Sequence, residues 1–126
     1  MTLGEYLLAA EKREWIDGEH DCSAWPARWA GIPIPAYSTR EEAEALVADA
    51  GDLVALWVRC IGGRLRRVAE PIAGDVGIIQ AVDAQRRVTQ VGAIYTGRRW
   101  AFLIPNGMVR ASAEPLAVWR VPCPRL

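Results

Sequence analysis

Apolar side chains recur with a helical period at the start of the chain. Leu3, Tyr6, Leu7 and Ala10 fall at i, i+3, i+4 and i+7, with Glu and Lys on the other face. That spacing predicts an amphipathic helix over about 3–15. Gly18 breaks the pattern. Asp21 is a good N-cap for a second helix running from Cys22 to about Trp29, and Pro26 falls near its first turn, where a missing N–H is tolerated. Gly31-Ile32-Pro33-Ile34-Pro35 reads as a loop, because each proline drives its predecessor toward extended backbone. Thr39-Arg40-Glu41-Glu42 has the form of a capping box and opens a helix that ends at Gly51. Asp52 caps a fourth helix, with Leu53, Leu56, Trp57 and Cys60 on one face and Gly62-Gly63 as its stop.

After Pro71 the period changes. Val76–Val82, Gln90–Tyr95, Trp100–Ile104, Met108–Ala111 and Ala117–Val121 are short runs rich in strand formers. Gly74-Asp75, Asp83–Arg87, Thr96–Arg99, Asn106-Gly107 and Glu114-Pro115 separate them, which is the turn chemistry of antiparallel hairpins. Helices first and strands second predict an α+β fold, with N-terminal helices packed on a C-terminal antiparallel sheet of about five strands. The helical part covers about 3–62 and the β part about 74–121. No repeat, low-complexity stretch or internal linker interrupts them, so residues 1–126 are expected to form a single domain.

Composition narrows the function classes. The 126 residues are 52% hydrophobic with a formal net charge of zero. That is too apolar for intrinsic disorder and not basic enough to favour nucleic acid as a partner. There is no apolar run of about 18 residues, so no membrane insertion is expected, and the N-terminus lacks the pattern of a secretory signal. His20 is the only histidine and Cys22, Cys60 and Cys123 are the only cysteines. The odd, widely spaced cysteines do not form a disulfide framework. One histidine with scattered cysteines predicts neither a metal site nor a cofactor site.

The candidate chemistry lies in Gly18-Glu19-His20-Asp21-Cys22, at the start of a helix. A thiol at a helix N-terminus feels the positive end of the dipole, which favours thiolate, and the free N–H groups there can bind an oxyanion. The competing reading is a small buried hydrophobe. A thiolate nucleophile needs a base, and His20 is the only histidine that could serve; its two-residue spacing also fits a ring that packs on a Trp or bonds the backbone. Asp75 reads as a turn residue before a strand. Arg64, Arg66, Arg67, Arg86-Arg87 and Arg98-Arg99 read as solvated turn residues balanced by Glu41, Glu42, Glu44 and Asp49. Trp15, Trp25, Trp29 and Trp57 occupy helix-face positions expected in the core. Trp100 and Trp119 lie on strands, where one is a candidate anchor for a protein interface or a glycan contact.

Trp15 through Trp25, read as W-x-x-G-x-H-D-C-x-x-W, resembles the nucleophile segment of NlpC-type peptidases, small papain-like cysteine hydrolases of the cell wall. It is most similar to the branch of that superfamily found in phage and prophage tail operons. Further segments follow in the family's order. Ala73-Gly74-Asp75-Val76-Gly77 resembles the lead into the first core strand, and Gln90 to Gly97 resembles the second. Asn106 to Arg110 with Ala117 to Val121 resembles the closing hairpin. The resemblance implies a papain-like fold with Cys22 at the nucleophile position. It places the family's catalytic histidine where this chain has Gln90. A glutamine amide cannot take and return a proton near neutral pH, and no polar orienting residue occurs around Trp100–Phe102.

The resemblance therefore implies a structural component of a phage or phage-like tail tip or baseplate, an inactive relative of peptidoglycan peptidases with Cys22 as a relic. Its expected partners are tail hub and tail-tip proteins, and possible contact with peptidoglycan follows from the ancestry. Its expected location is the virion tail, after synthesis in the bacterial cytoplasm. The alternative it leaves open is an active cysteine amidase or endopeptidase that cuts peptidoglycan during infection.

Overall fold

A computed structural model describes residues Met1–Leu126. Four helices come first: α1 (Leu3–Glu11), α2 (Ala24–Ala30), α3 (Arg40–Ala50) and α4 (Leu53–Ile61). Six strands follow: β1 (Arg66–Arg67), β2 (Val76–Val82), β3 (Val88–Tyr95), β4 (Trp100–Ile104), β5 (Gly107–Ala111) and β6 (Ala117–Arg120). The strands form one open antiparallel sheet in the order β1-β6-β2-β3-β4-β5. The α+β architecture with helices before strands matches the periodicity of the sequence. No helix is long and apolar enough to cross a membrane.

Local chemistry accounts for most boundaries. The Thr39 hydroxyl accepts from the Glu42 N–H at the start of α3, and the Asp52 carboxylate accepts from Ala55 N–H at the start of α4. Both donors lack an intrahelical partner. Three sequence expectations need correction. The first helix stops at Glu11 instead of running to about residue 15, because the chain leaves it for a tight turn in which Ile16 and His20 bridge. The sheet has six strands, not five. The sixth, β1, is a pair of exposed arginines that no hydrophobic alternation marks; it pairs with the edge of β6, and Arg67 lies over the Trp119 ring at 5.2 Å. Trp100 and Trp119 are buried, at 1% and 3% exposure, so neither is presented to a partner or a glycan. Trp-Ala-Phe-Leu is a continuous apolar run, the mark of a strand covered on both faces rather than one.

Strand alternation sorts the interior into two clusters. Val76, Ile78, Ile94, Ala101, Leu103, Ala117 and Trp119 join Leu3, Leu7, Trp25, Leu53, Leu56 and Trp57 of the helices. Ile79, Val91, Ala93, Trp100, Phe102 and Val118 form the other cluster, and Cys22 packs against it. Gly92 lets α2 approach the sheet. A Cβ there would stand 2.6 Å from the Cys22 carbonyl oxygen and 2.8 Å from the Trp57 ring.

A half-buried ion pair fastens the β2 entry. Asp75 is fully buried, accepts from Arg120 Nε at 2.9 and 3.1 Å, and accepts from the Ile72 N–H at 2.9 Å. The turn role expected for Asp75 therefore holds, with an ion pair to β6 added. Removing Arg120 would leave the fully buried Asp75 carboxylate without its cation, the costly direction in which to break such a pair.

Candidate functional site

The segment from Ile16 to Ala24 is organised around one carboxylate. Gly18, at φ 81°, makes the turn that brings His20 N–H back to the Ile16 carbonyl. Only glycine fits there, since a Cβ would fall 1.9 Å from the Tyr37 carbonyl oxygen. Asp21, 4% exposed, then collects four donors. Its Oδ2 accepts from Gly18 N–H at 2.8 Å and the Tyr37 hydroxyl at 2.6 Å; its Oδ1 accepts from Ser23 N–H at 3.0 Å and Ala24 N–H at 2.7 Å. No cation is among these partners. The carboxylate is held by hydrogen bonds and by the helix N-terminus, where negative charge is favoured.

The expected N-cap position moves: the helix begins at Ala24, two residues later than expected, with Ser23 as the N-cap residue, and Asp21 serves the helix from outside by accepting the Ser23 and Ala24 N–H groups. The consequence reaches Cys22. The Ser23 and Ala24 N–H groups, which could have met an oxyanion, are occupied by the protein's own carboxylate. The thiol itself is pushed up to about 12, first by burial and then by the negative charge of Asp21. The expectation that the helix end favours thiolate is overturned here. The dipole acts over one turn, and Asp21 sits within that turn. A thiol in this state is protonated at neutral pH and is a poor nucleophile. Tyr37 is raised by burial and by its hydrogen bond to Asp21, so its hydroxyl remains a donor.

His20, the one candidate base, and Gln90, at the position of the family's histidine, are both engaged elsewhere. His20 is 3% exposed, and its Nε2 lies 3.3 Å from the Ala10 carbonyl. That contact assigns the proton to Nε2. Its Nδ1 is buried without a partner. Burial lowers its pKa, and the Arg13 and Arg28 charges act in the same direction. His20 therefore stays neutral, tied to α1, in keeping with the backbone-bonding reading.

Gln90 is a helix cap. Its Oε1 accepts from the N–H groups of Leu53 at 3.0 Å and Val54 at 3.3 Å, and its Nε2 donates to Asp52 Oδ2 at 3.3 Å. A carbonyl oxygen has two lone pairs for the two N–H groups, whereas an imidazole nitrogen offers one. The glutamine is thus suited to joining β3 to the start of α4. Nothing in the sequence near Gln90 marks that role, since its partners lie 36 to 38 residues away. Tyr37 was likewise invisible in a proline-rich loop.

The three cysteines are free. Cys60 lies on the apolar stripe of α4, packed against the main core, and burial raises its thiol as well. Cys123 is exposed in the C-terminal tail. No group of three or more His, Cys, Asp or Glu side chains is placed to hold a metal ion. The arrangement can therefore orient a loop, cap two helices and hold a half-buried thiol. It has no paired nucleophile and base. Comparison with family models, with curated proteins and with solved structures returns no match.

Proposed function

We propose that this chain is a structural component of the tail tip or baseplate of a phage or phage-like particle. In this reading its fold is papain-like, of the NlpC type, and its cysteine chemistry has lapsed. The tail assignment rests on the ordered resemblance of the segments around Cys22, Asp75, Gln90 and Trp119. Helices followed by an antiparallel sheet, with the Cys22 segment seated on β3 at Gly92, agree with that origin.

One observation carries the non-catalytic part. Asp21 takes the Ser23 and Ala24 N–H groups of the helix terminus that would otherwise favour a thiolate or an oxyanion, and a buried anion beside a thiol works against nucleophilic catalysis. Gln90 adds to it by using its amide to cap α4. A chain kept for its shape would act by contact with tail hub and tail-tip proteins, made in the bacterial cytoplasm and carried in the virion.

The test is to isolate particles from a lysate of the producing strain and identify the chain in the tail fraction, for the native protein and for Cys22→Ser. The expected result is equal incorporation and unchanged particle yield. Release of muropeptides from purified peptidoglycan by the native chain, lost in Cys22→Ser, would overturn the reading in favour of an amidase. Absence of the chain from purified tails would overturn the location.

A further inference from the structure

The tip of the β2–β3 hairpin, around Val82 and Val88, projects beyond the strands that flank it. β6 pairs with β2 only at 76–78 and β4 pairs with β3 only at 94–95, so residues 79–82 and 88–93 have a strand neighbour on one side alone. The tip carries a cross-strand pair, Val82 opposite Val88. Their exposures, 67% and 65%, exceed those of every other large apolar residue between the two chain ends. Arg86 and Arg87 are exposed beside them; Arg87 is paired with Asp83, and Arg86 has no carboxylate partner.

A complementary surface lies on the helical side. Between the extended 31–38 segment and α3 is a cleft of about 320 Å³, lined by Ala36, Tyr37, Glu42, Ala45, Leu46 and Asp49. Its lining is apolar apart from the two carboxylates. α3 buries none of its residues and carries Glu41, Glu42, Glu44 and Asp49 against a single base, Arg40. The Asp49 side chain is 80% exposed, and its contact with Arg59 at 3.4 Å is a surface pair of the kind that contributes little.

We infer that the chain associates head to tail with a second copy of itself, the Val82–Val88 tip of one copy entering the Ala36–Leu46 cleft of the next. Arg86 then faces Glu42 and Asp49 across the contact. Charge complementarity selects this occupant: an apolar pair flanked by an unpaired cation matches an apolar cleft flanked by carboxylates, and one chain carries both. The contact joins two different patches, so it is heterologous and propagates into a ring or a filament. It stands independently of where the chain is housed.

The test is sedimentation of the full chain up to about 1 mM, where even weak association is populated. Self-association that weakens with added salt is expected. Arg86→Glu and Asp49→Arg should each reduce it by about tenfold or more, and an equimolar mixture of the two variants should restore it, because each tip again meets an opposite charge. Val82→Thr with Val88→Thr keeps β-branched strand formers and should also weaken it. A chain that is monomeric at all concentrations, association indifferent to Arg86→Glu and Asp49→Arg, or a mixture that fails to restore association would each overturn the inference.

Discussion

The N-termini of α2 and α4 solve the same problem with different parts. Each presents unpaired N–H groups and the positive end of a helix dipole. At α2 the helix donors are met locally by a buried carboxylate: Asp21 takes Ser23 and Ala24 N–H, with Gly18 N–H and, from farther along the chain, the Tyr37 hydroxyl completing its shell. At α4 it is shared and long-range: Asp52 takes Ala55 N–H, while Gln90, brought from β3, takes Leu53 and Val54 N–H. The first arrangement fixes a loop and suppresses a thiol. The second ties the helical half to the sheet. At both helix starts these N–H donors are satisfied within the chain.

The comparison implies unequal sensitivity. Asp21→Ala strands two helix N–H groups, the Gly18 N–H and the Tyr37 hydroxyl in a buried site, so a loss of about 3 kcal/mol or more is expected in urea unfolding. Asp21→Asn retains an acceptor for the helix and should lose less. It should also move the Cys22 thiol downward, since Asp21 is the second cause of its shift after burial. At α4, Gln90→Ala leaves Asp52 in place and should lose about 1–2 kcal/mol, with faster amide exchange in the first turn. If Gln90→Ala proved as damaging as Asp21→Ala, the contrast between buried and shared capping would fail.

A smaller effect concerns pH. His20 has its pKa lowered in the folded chain, so the fold prefers the neutral ring. Above the ordinary value of 6.5 both states carry neutral His20 and it contributes no pH dependence. As pH falls below 6.5 the unfolded chain takes up a proton that the folded chain resists, and stability falls until the folded pKa is passed. His20→Gln, which keeps a donor for the Ala10 carbonyl, should flatten the stability profile just below about pH 6.5. An unchanged slope in that variant would assign it to another group.

What the sequence revealed follows the range of the interaction. Caps written within three or four residues, Thr39 with Glu42 and Asp52 with Ala55, were legible, as was Asp21 at the second helix. The α+β order and five of the six strands were legible from the change of period. The short first strand was not, because Arg66 and Arg67 carry no apolar alternation and pair only because β6 offers an edge. Trp100 and Trp119 were misjudged as possible contact residues, because burial on both faces of a strand depends on what packs above it. At the site, the suspicion that Gln90 fails as a base was legible from its chemistry. Its actual task was not, since α4 lies far away in the chain. The sign of the Cys22 shift is a matter of packing: the helix end and Asp21 are both visible in the sequence, but not the burial that, with Asp21, outweighs the dipole.

Cys22 itself offers the most direct test. With Cys60→Ser and Cys123→Ser leaving it as the only thiol, its alkylation by iodoacetamide is measured in the folded chain across pH. The expected result is slow reaction at neutral pH and no inflection below about pH 9, in line with a thiol held near 12 by burial and Asp21. An inflection below about pH 7 that vanishes in His20→Ala would contradict it and would return the site to a working nucleophile and base.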